Sequence, residues 1–431
     1  MVKFIEFFSE PRPFLLSALA CAFLAYCGTG ILKERSPYKS AIPLQEAQFL
    51  SGKICTNPCK VSSGKYYSAK LDLVSCKSSP ITCKSGTNIE ESFESSGKVS
   101  ILIPTKTVES LYPGKLYSLE GKSVLIEQGE NISCKGKWNP KANAFTVHSL
   151  EYKEPDKSLS GKIAHFRAKC RLVFKRMLFG WGNAGGLILS LLSGSREYTE
   201  SGLCKDFSLA GLSHVLALSG MHLSFFSGLS GSLGKKIFGK KASFFVRMAA
   251  IIAFSWFAGL SPSLLRALLC SIFILFANSF YCKKLKSSEI LSAVFLIHIV
   301  IIPDDAKSVA FMLSYSALAG IMAITPLIEK FFTRKIPPAL SSPLCASIGA
   351  QTATTPVTAA FFGTITPIGI ISSVAVCPLI SIFLSLALFC IAICLLMPFL
   401  CPPFGCILNM VYEAIVFLVR IFARIPPIQL K

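Results

Sequence analysis

Charge is scarce in this sequence, and acid scarcer still. Only 16% of the 431 residues are charged, and 23 acids face 44 bases, leaving a formal charge of +21. A soluble globular domain carries about a quarter charged residues, so the composition is not that of an ordinary soluble protein. His148, His165, His214, His222 and His298 are all the histidines, and none stands in His-x-His-x-Asp-His spacing. A two-metal hydrolase needs such a cluster to generate and place a hydroxide, so no nuclease of that kind is expected in this chain. No Gly-x4-Gly-Lys-Ser/Thr loop occurs, which excludes a phosphate-loop motor within it. The cysteine spacings match no zinc signature, and no metal or cofactor is expected.

What abounds is apolar sequence, at 52% of residues. From Lys33 to about Asp156 the chain is polar and mixed, whereas from about Leu187 apolar runs follow one another with short breaks. The first run, Phe14–Leu32, is flanked by Lys3, Arg12, Lys33 and Arg35 and is long enough for a span of about 20 residues. Bulky Tyr26 just before Cys27 argues against a cleaved signal. Further spans are expected near 207–230, 242–260, 262–281, 288–303, 308–326, 340–363, 366–381, 382–397 and 405–424. The fold class is therefore a polytopic α-helical membrane protein of about 9–10 spans.

Basic residues then orient it. Lys235, Lys236, Lys240, Lys241 and Arg247 fall on one side if the spans alternate. So do Lys283, Lys284 and Lys286, then Lys330, Arg334 and Lys335, and finally Arg420, Arg424 and Lys431. Asp304 and Asp305 fall on the other. The positive-inside rule makes the basic side cytoplasmic. The expected arrangement is a multi-pass bacterial inner (plasma) membrane protein with residues 33–206 extracytoplasmic and a cytoplasmic C-terminus. Its parts are an N-terminal span (1–32), a β domain (33–157), a basic amphipathic connector (158–206) and a transmembrane domain (207–431).

In the β domain, alternating stretches Tyr66–Val74, Val99–Pro104, Lys115–Leu119 and Phe145–Tyr152 are separated by turn formers such as Tyr112-Pro113-Gly114. Short strands in this number suggest a small β-barrel, an oligonucleotide-binding (OB-like) barrel being one option among several. Of 17 cysteines, most lie in apolar runs, where they pack without a special role. Cys55, Cys59, Cys76, Cys83 and Cys134 fall in the β domain, where one or two disulfides are expected in an oxidising compartment.

The connector interleaves Lys162, Arg167, Lys169, Arg171, Lys175 and Arg176 with Phe166, Leu172, Val173, Phe174, Met177 and Leu178. Such a segment lies in the plane of the lipid headgroups. Residues 33–160 hold 18 bases against 13 acids, but residues 161–431 hold 24 against 8. Eight of those 24 stand between Lys162 and Lys205, more than topology requires. The six named bases are candidate contacts for an anionic partner on the outer face, nucleic acid or anionic lipid.

Three polar clusters interrupt the apolar runs. They are Gly211-Leu212-Ser213-His214-Val215-Leu216-Ala217-Leu218-Ser219-Gly220-Met221-His222, then Gly259-Leu260-Ser261-Pro262-Ser263-Leu264-Leu265-Arg266-Ala267, then Gln351-Thr352-Ala353-Thr354-Thr355-Pro356. Broken helices are tolerated at membrane depth only beside protein or a wet cavity. The competing reading is helix–helix packing, since small residues and hydroxyls are ordinary interface glue in membranes. Arg266 beside a Ser-Pro-Ser turn favours function, an isolated Ser or Thr favours packing, and His214 and His222 stand between.

At these clusters the chain resembles the competence domain of the ComEC family of DNA-uptake channel proteins. The family's Gly-x-x-His-x-Leu-Ala-x-Ser-Gly-x-His signature stands at Gly211 to His222, and its Gly-x-Ser-Pro-Ser-x-x-Arg-Ala signature at Gly259 to Ala267. Phe311-Met312-Leu313-Ser314-Tyr315 matches a later patch, as do Phe362-Gly363 and Pro378-Leu379. The resemblance covers about 160–425 and extends to the β domain by position and size. Where the family tends to have Asn, this chain has Ser373, and the metallo-β-lactamase-like domain found in many relatives is lacking.

The resemblance implies a non-enzymatic conduit for single-stranded DNA, lined by His214, Ser219, His222, Ser261, Ser263, Arg266, Ser314, Gln351, Thr354 and Thr355. It also implies a separate DNA receptor, a cytoplasmic energy-coupling ATPase and a separate nuclease. Tyr66, Tyr67, Tyr112, Tyr117 and Trp138 are candidates for stacking on bases. A small-solute or ion transporter is the alternative, although paired intramembrane carboxylates are missing and Glu413 stands alone. A non-transporting scaffold is another.

Overall fold

The computed structural model describes residues 13–26, 38–61, 63–78, 81–82, 88–89, 92–112, 125–197, 199–200, 202–216, 220–279, 286–332 and 337–430. Helix α1 (Pro13–Tyr26) leads into the strands of the polar region. These are β1 (Lys39–Ser40), β2 (Ala47–Ile54), β3 (Cys59–Lys60), β4 (Tyr66–Ser78), β5 (Ile81–Thr82), β6 (Asn88–Ile89), β7 (Ser92–Ser96), β8 (Lys98–Pro104), β9 (Asn131–Asn139) and β10 (Ala144–Tyr152). A short helix, α2 (Thr105–Glu109), follows β8. Lys115–Leu119, one of the expected strands, lies outside the described residues.

Five strands close a barrel. β4 pairs with β2 and with β8, β2 with β9, and β9 with β10, all antiparallel; β10 then meets β8 in parallel. This is the Greek-key order of the small barrel that the alternation suggests. Alternation supplies the core: Val99, Ile101 and Ile103 point inward from β8, Leu50 and Ile54 from β2, and Phe145 from β10. Two glycines permit the tight closure. A Cβ on Gly52 would sit 2.1 Å from the Asp72 carbonyl oxygen, and one on Gly136 would sit 2.0 Å from that of Thr146. Each lies beside a register shift in its strand pair.

The expected disulfides do not form among the described residues, where Cys55, Cys59, Cys76 and Cys134 are free thiols; Cys83 lies outside those residues. Geometry gives a reason for one pair. Leu50 of β2 has Cys76 as its partner on one flank and Cys134 on the other. Two strand spacings, about 9.5 Å, thus separate thiols whose Cα atoms would need to lie within about 7 Å. Burial pushes the Cys134 thiol up to about 12, which further disfavours the reactive thiolate.

Helices follow the barrel: α3 (Leu159–Phe179), α4 (Gly182–Ser193), α5 (Leu203–Leu209), α6 (Ser213–Leu216), α7 (Gly220–Ala258), α8 (Pro262–Ser279), α9 (Ser287–Ile301), α10 (Val309–Phe332), α11 (Pro338–Phe362), α12 (Gly369–Leu396) and α13 (Cys401–Ala423). Helix α7 breaks at Gly239 (φ 84°, ψ 176°), and its halves fold together: Ser243 Oγ donates to the Gly231 carbonyl at 2.9 Å. The basic loop expected at 231–247 is therefore mostly helix.

Among the described residues, three helices are long and apolar enough to cross a membrane: Val309–Phe332, Gly369–Leu396 and Pro398–Ala423. Gly182–Ser193, Ala242–Ala258, Pro262–Ala277 and Ser287–Ile301 are apolar but shorter. Among the described residues, fewer elements thus reach full span length than the expected 9–10. Helix α4, inside the segment read as a connector, is buried along its length and packs in the bundle core with α7, α12 and α13. Trp181 anchors it, donating from Nε1 to the Cys401 carbonyl at 2.8 Å.

The two spans expected at 366–381 and 382–397 are one helix, α12, because Pro378 falls within a helix that continues through it. Two short strands, β11 (Thr364–Ile365) and β12 (Ile428–Gln429), pair antiparallel and seat the chain end beside the start of α12. Arg420 joins Glu200 at 2.6 Å and Asp206 at 3.5 Å. Lys283, Lys284, Arg334, Lys335 and Lys431, used above to orient the chain, lie outside the described residues.

Candidate functional site

The first polar cluster is the hub at which the other two meet. Gly211 adopts φ +73°, and a Cβ there would lie 2.6 Å from the Gly369 Cα and 3.3 Å from Thr366 Oγ1. Only glycine fits so close a crossing in that conformation. Gln351 reaches the same place from α11, donating from Nε2 to the Thr366 carbonyl at 2.5 Å. Ser372 ties α12 to the hub, its Oγ donating to the Ala210 carbonyl at 2.6 Å. Clusters one and three, 140 residues apart along the chain between Gly211 and Gln351, are thus neighbours around Thr366–Gly369.

The other end of the hub meets the second cluster. Ser261 Oγ accepts from the Leu264 N–H at 3.3 Å, capping the start of α8. Ser263 Oγ donates to Ser314 Oγ at 2.9 Å, and Arg266 Nη1 donates to the Ser314 carbonyl at 2.5 Å. A Cβ on Gly220 would stand 3.7 Å from Arg266 Nη2, so the guanidinium lies directly under the start of α7. Arg266 has no carboxylate partner among the described residues, and its buried Nε lacks a hydrogen-bond acceptor there. The guanidinium thus donates to one carbonyl beside Gly220.

The remaining candidates divide. His222 is fully buried on the first turn of α7, whereas His214 is exposed on α6. Ser219 lies outside the described residues. Thr354 returns its hydroxyl to the Ala350 and Gln351 carbonyls, and Thr355 to that of Gln351 at 2.7 Å. Those two hydroxyls satisfy their own helix. Ser373 likewise donates to the Gly369 carbonyl at 2.5 Å. Small residues of α11 also bring α10 close: a Cβ on Gly320 would fall 2.3 Å from the Gly349 carbonyl oxygen and 2.5 Å from Ala353 Cβ.

The basic connector is not the open collar that the sequence suggests. Arg171 is 1% exposed, and Arg167 and Lys175 are also buried. Arg171 Nε donates to Glu127 Oε2 at 2.7 Å and its Nη2 to Ser195 Oγ at 3.1 Å. Lys175 is paired with Glu127, and with Glu197 Oε1 at 2.6 Å. Tyr112 donates to Glu197 Oε2 at 2.5 Å and Tyr67 to the Glu197 carbonyl at 3.3 Å. Tyr67 and Tyr112 therefore belong to this network and offer no free ring face for a base; Tyr117 lies outside the described residues. Burial alone would raise the Glu127 carboxyl, but Arg171 and Lys175 outweigh it and hold the group at about 2.

This network grips the second cluster from outside. Arg171 Nη1 donates to the carbonyls of Phe257 at 2.8 Å and Ala258 at 3.3 Å, and Arg167 donates to that of Phe257. Asn57 of the barrel donates to the Ala258 carbonyl at 3.2 Å. Two cations thus face the unpaired carbonyls at the end of α7, where the helix dipole favours positive charge. Gly259 (φ +93°) follows at once, with Arg167 Nη2 2.8 Å and Asn57 Nδ2 3.1 Å from where a Cβ would be. Barrel and connector therefore fix the backbone leading to Arg266. Lys162 remains exposed and Lys169 half-buried, while Arg176 donates to the Leu111 carbonyl at 3.0 Å.

Sequence reasoning did not single out Glu127, Glu197 or the chain His298–Asp305–Tyr315. In the last, His298 is fully buried and its ring nitrogens stand 3.1 Å from Tyr315 OH and 3.1 Å from Asp305 Oδ2. The one available signal was that Glu197 is one of three acids, with Glu200 and Asp206, in an otherwise basic stretch. Among the described residues, no three His, Cys, Asp or Glu side chains cluster to hold a metal ion.

Comparison with known proteins adds one finding. No curated protein and no solved structure matches the chain. The sequence profile described as "Competence protein" matches residues 191–431, which takes in the hub, the Arg266 cluster and the α10–α13 helices. With more than half of its length matched, the chain belongs to the competence protein family.

Proposed function

We propose that this protein forms the path through the bacterial inner membrane by which one strand of transforming DNA is imported, with the barrel on the outer side. Family membership supports a role in DNA uptake and an association with the membrane. The observation that carries the finer reading is Arg266, a guanidinium without an acid partner among the described residues, set between Ser314 of α10 and Gly220 at the start of α7. An intramembrane cation without a counter-ion is costly and marks a substrate path. A phosphodiester supplies the missing charge one phosphate at a time, in the bidentate geometry guanidinium favours. The second strand is removed by a separate nuclease, a separate receptor delivers the duplex, and a cytoplasmic ATPase supplies the work.

Import of end-labelled DNA into nuclease-protected form tests this reading in a deletion strain carrying wild-type or Arg266→Ala protein. The variant is expected to lose import at least about tenfold, equivalent to about 1.4 kcal/mol, with its protein level and cell-surface DNA binding unchanged. Undiminished import by Arg266→Ala would remove Arg266 from the path. Undiminished import in the deletion strain would remove the protein.

A further inference from the structure

One open cleft in the molecule is not part of the Arg266 site. It lies where the barrel, α3 and the end of α7 meet, and encloses about 470 Å3. Its polar wall carries Lys53, Lys98, Gln128 and Arg167; its apolar wall carries Ile163 and Trp256. Lys53 and Lys98 flank Asp72 across three adjacent strands, so the row keeps an excess of positive charge that Arg167 extends. Arg167 spends part of its guanidinium on Gln128 Oε1 at 3.2 Å and on the Phe257 carbonyl.

The apolar wall does not end at the cleft. Leu159 (76% exposed), Ile163 and Phe166 (62% exposed) repeat at helical spacing along the outer face of α3 and stay largely exposed among the described residues. Phe166 stacks on Trp256 with ring centroids 6.1 Å apart and planes at 24°. Lys162 borders the stripe. An apolar lane edged by aromatics and lysines is the form helices take at the headgroup level of a bilayer. Here the lane runs into a basic notch.

We infer that this cleft binds the headgroup of an anionic phospholipid, its phosphate between Lys53, Lys98 and Arg167 and its acyl chains along Ile163 and the Phe166–Trp256 pair. A nucleic-acid strand fits less well, because the two aromatic rings face each other and the lane beside them is aliphatic. The bound lipid seats the barrel against the membrane surface and touches Arg167, whose other contacts lead to Phe257 and Gly259. This goes beyond the import reading and does not depend on it.

The test uses the full chain in nanodiscs of phosphatidylcholine alone or mixed equally with phosphatidylglycerol, with acetylation of Lys53 and Lys98 read by peptide mass spectrometry. Phosphatidylglycerol is expected to slow acetylation of both lysines several-fold relative to Lys141 on the far barrel loop. Lipid retained through purification should lose phosphatidylglycerol about tenfold in the Lys53→Ala/Lys98→Ala variant. Arg266→Ala should retain it as wild type does, which separates this site from the import path. Equal acetylation in both nanodiscs, or equal retention in the double variant, overturns the inference. Protection by a single-stranded oligonucleotide but not by phosphatidylglycerol overturns it too, in favour of nucleic acid. Should the double variant fail to fold, wild-type acetylation alone decides.

Discussion

Arg171 and Arg266 are both largely shielded from water, and the protein treats them oppositely. Arg171 meets a carboxylate, a serine hydroxyl and two helix-end carbonyls, while Lys175 beside it meets two carboxylates. Arg266 meets one carbonyl and no acid among the described residues. A buried charge costs several kcal/mol unless it is paired and hydrogen-bonded. The junction between barrel and bundle therefore meets that cost with Glu127 and Glu197, which close Arg171 and Lys175 to outside ligands. The Arg266 region leaves it unmet. Arg171, expected on an open outer face, thus belongs to a compensated junction, whereas Arg266, expected inside the bundle, stands at an uncompensated site.

The comparison breaks most visibly at Glu127. Glu127→Ala leaves Arg171 and Lys175 without half of their counter-charge and should cost about 3–5 kcal/mol, seen as a lower melting temperature and faster proteolysis in the 125–200 region. A smaller loss when Arg171→Met accompanies it would show that the penalty is the stranded charge. Acid should act on the same pair. The Glu127 carboxyl is depressed from 4.5 to about 2 in the folded protein, so its contribution is present above pH 4.5 and fades as pH falls toward 2. Melting curves of Glu127→Gln should lack that part of the acid dependence.

Gly211→Ala tests the hub itself. The positive φ and the contact with Gly369 should together cost about 1–3 kcal/mol and reduce import even though no charge is touched. Arg266→Lys, at the uncompensated site, keeps the charge but not the fork; import should fall several-fold with melting unchanged within about 0.5 kcal/mol. Thr354→Val should do least, below about 0.5 kcal/mol and without effect on import, because its hydroxyl bonds its own helix. A large import defect in Thr354→Val would place it in the path and redraw the comparison.

Much of this was legible along the chain. Alternation at Val99, Ile101 and Ile103 marked a barrel strand, and Ser261-Pro262-Ser263 marked a turn, which the structure shows to cap the start of α8. These signals are local: side-chain period and capping depend on residues within a turn or two. The span count failed for an equally local reason. Two spans were expected between 366 and 397, yet the backbone runs through Pro378 as one helix. Helix α4 was missed because its 12 residues are too few for a span and lie beside a run of bases.

By itself the sequence determined that an apolar bundle follows a small β domain, and that Gly211–His222 and Gly259–Ala267 carry unusual polarity for their setting. Which bases are spent and which are free was decided only in three dimensions. Glu127 and Arg171 are 44 residues apart, and Arg266 and Ser314 are 48 apart, so nothing in either neighbourhood names the other. Charge is long-ranged and indifferent to chain order. Its consequence depends on what folding places within about 4 Å and on how much water that leaves.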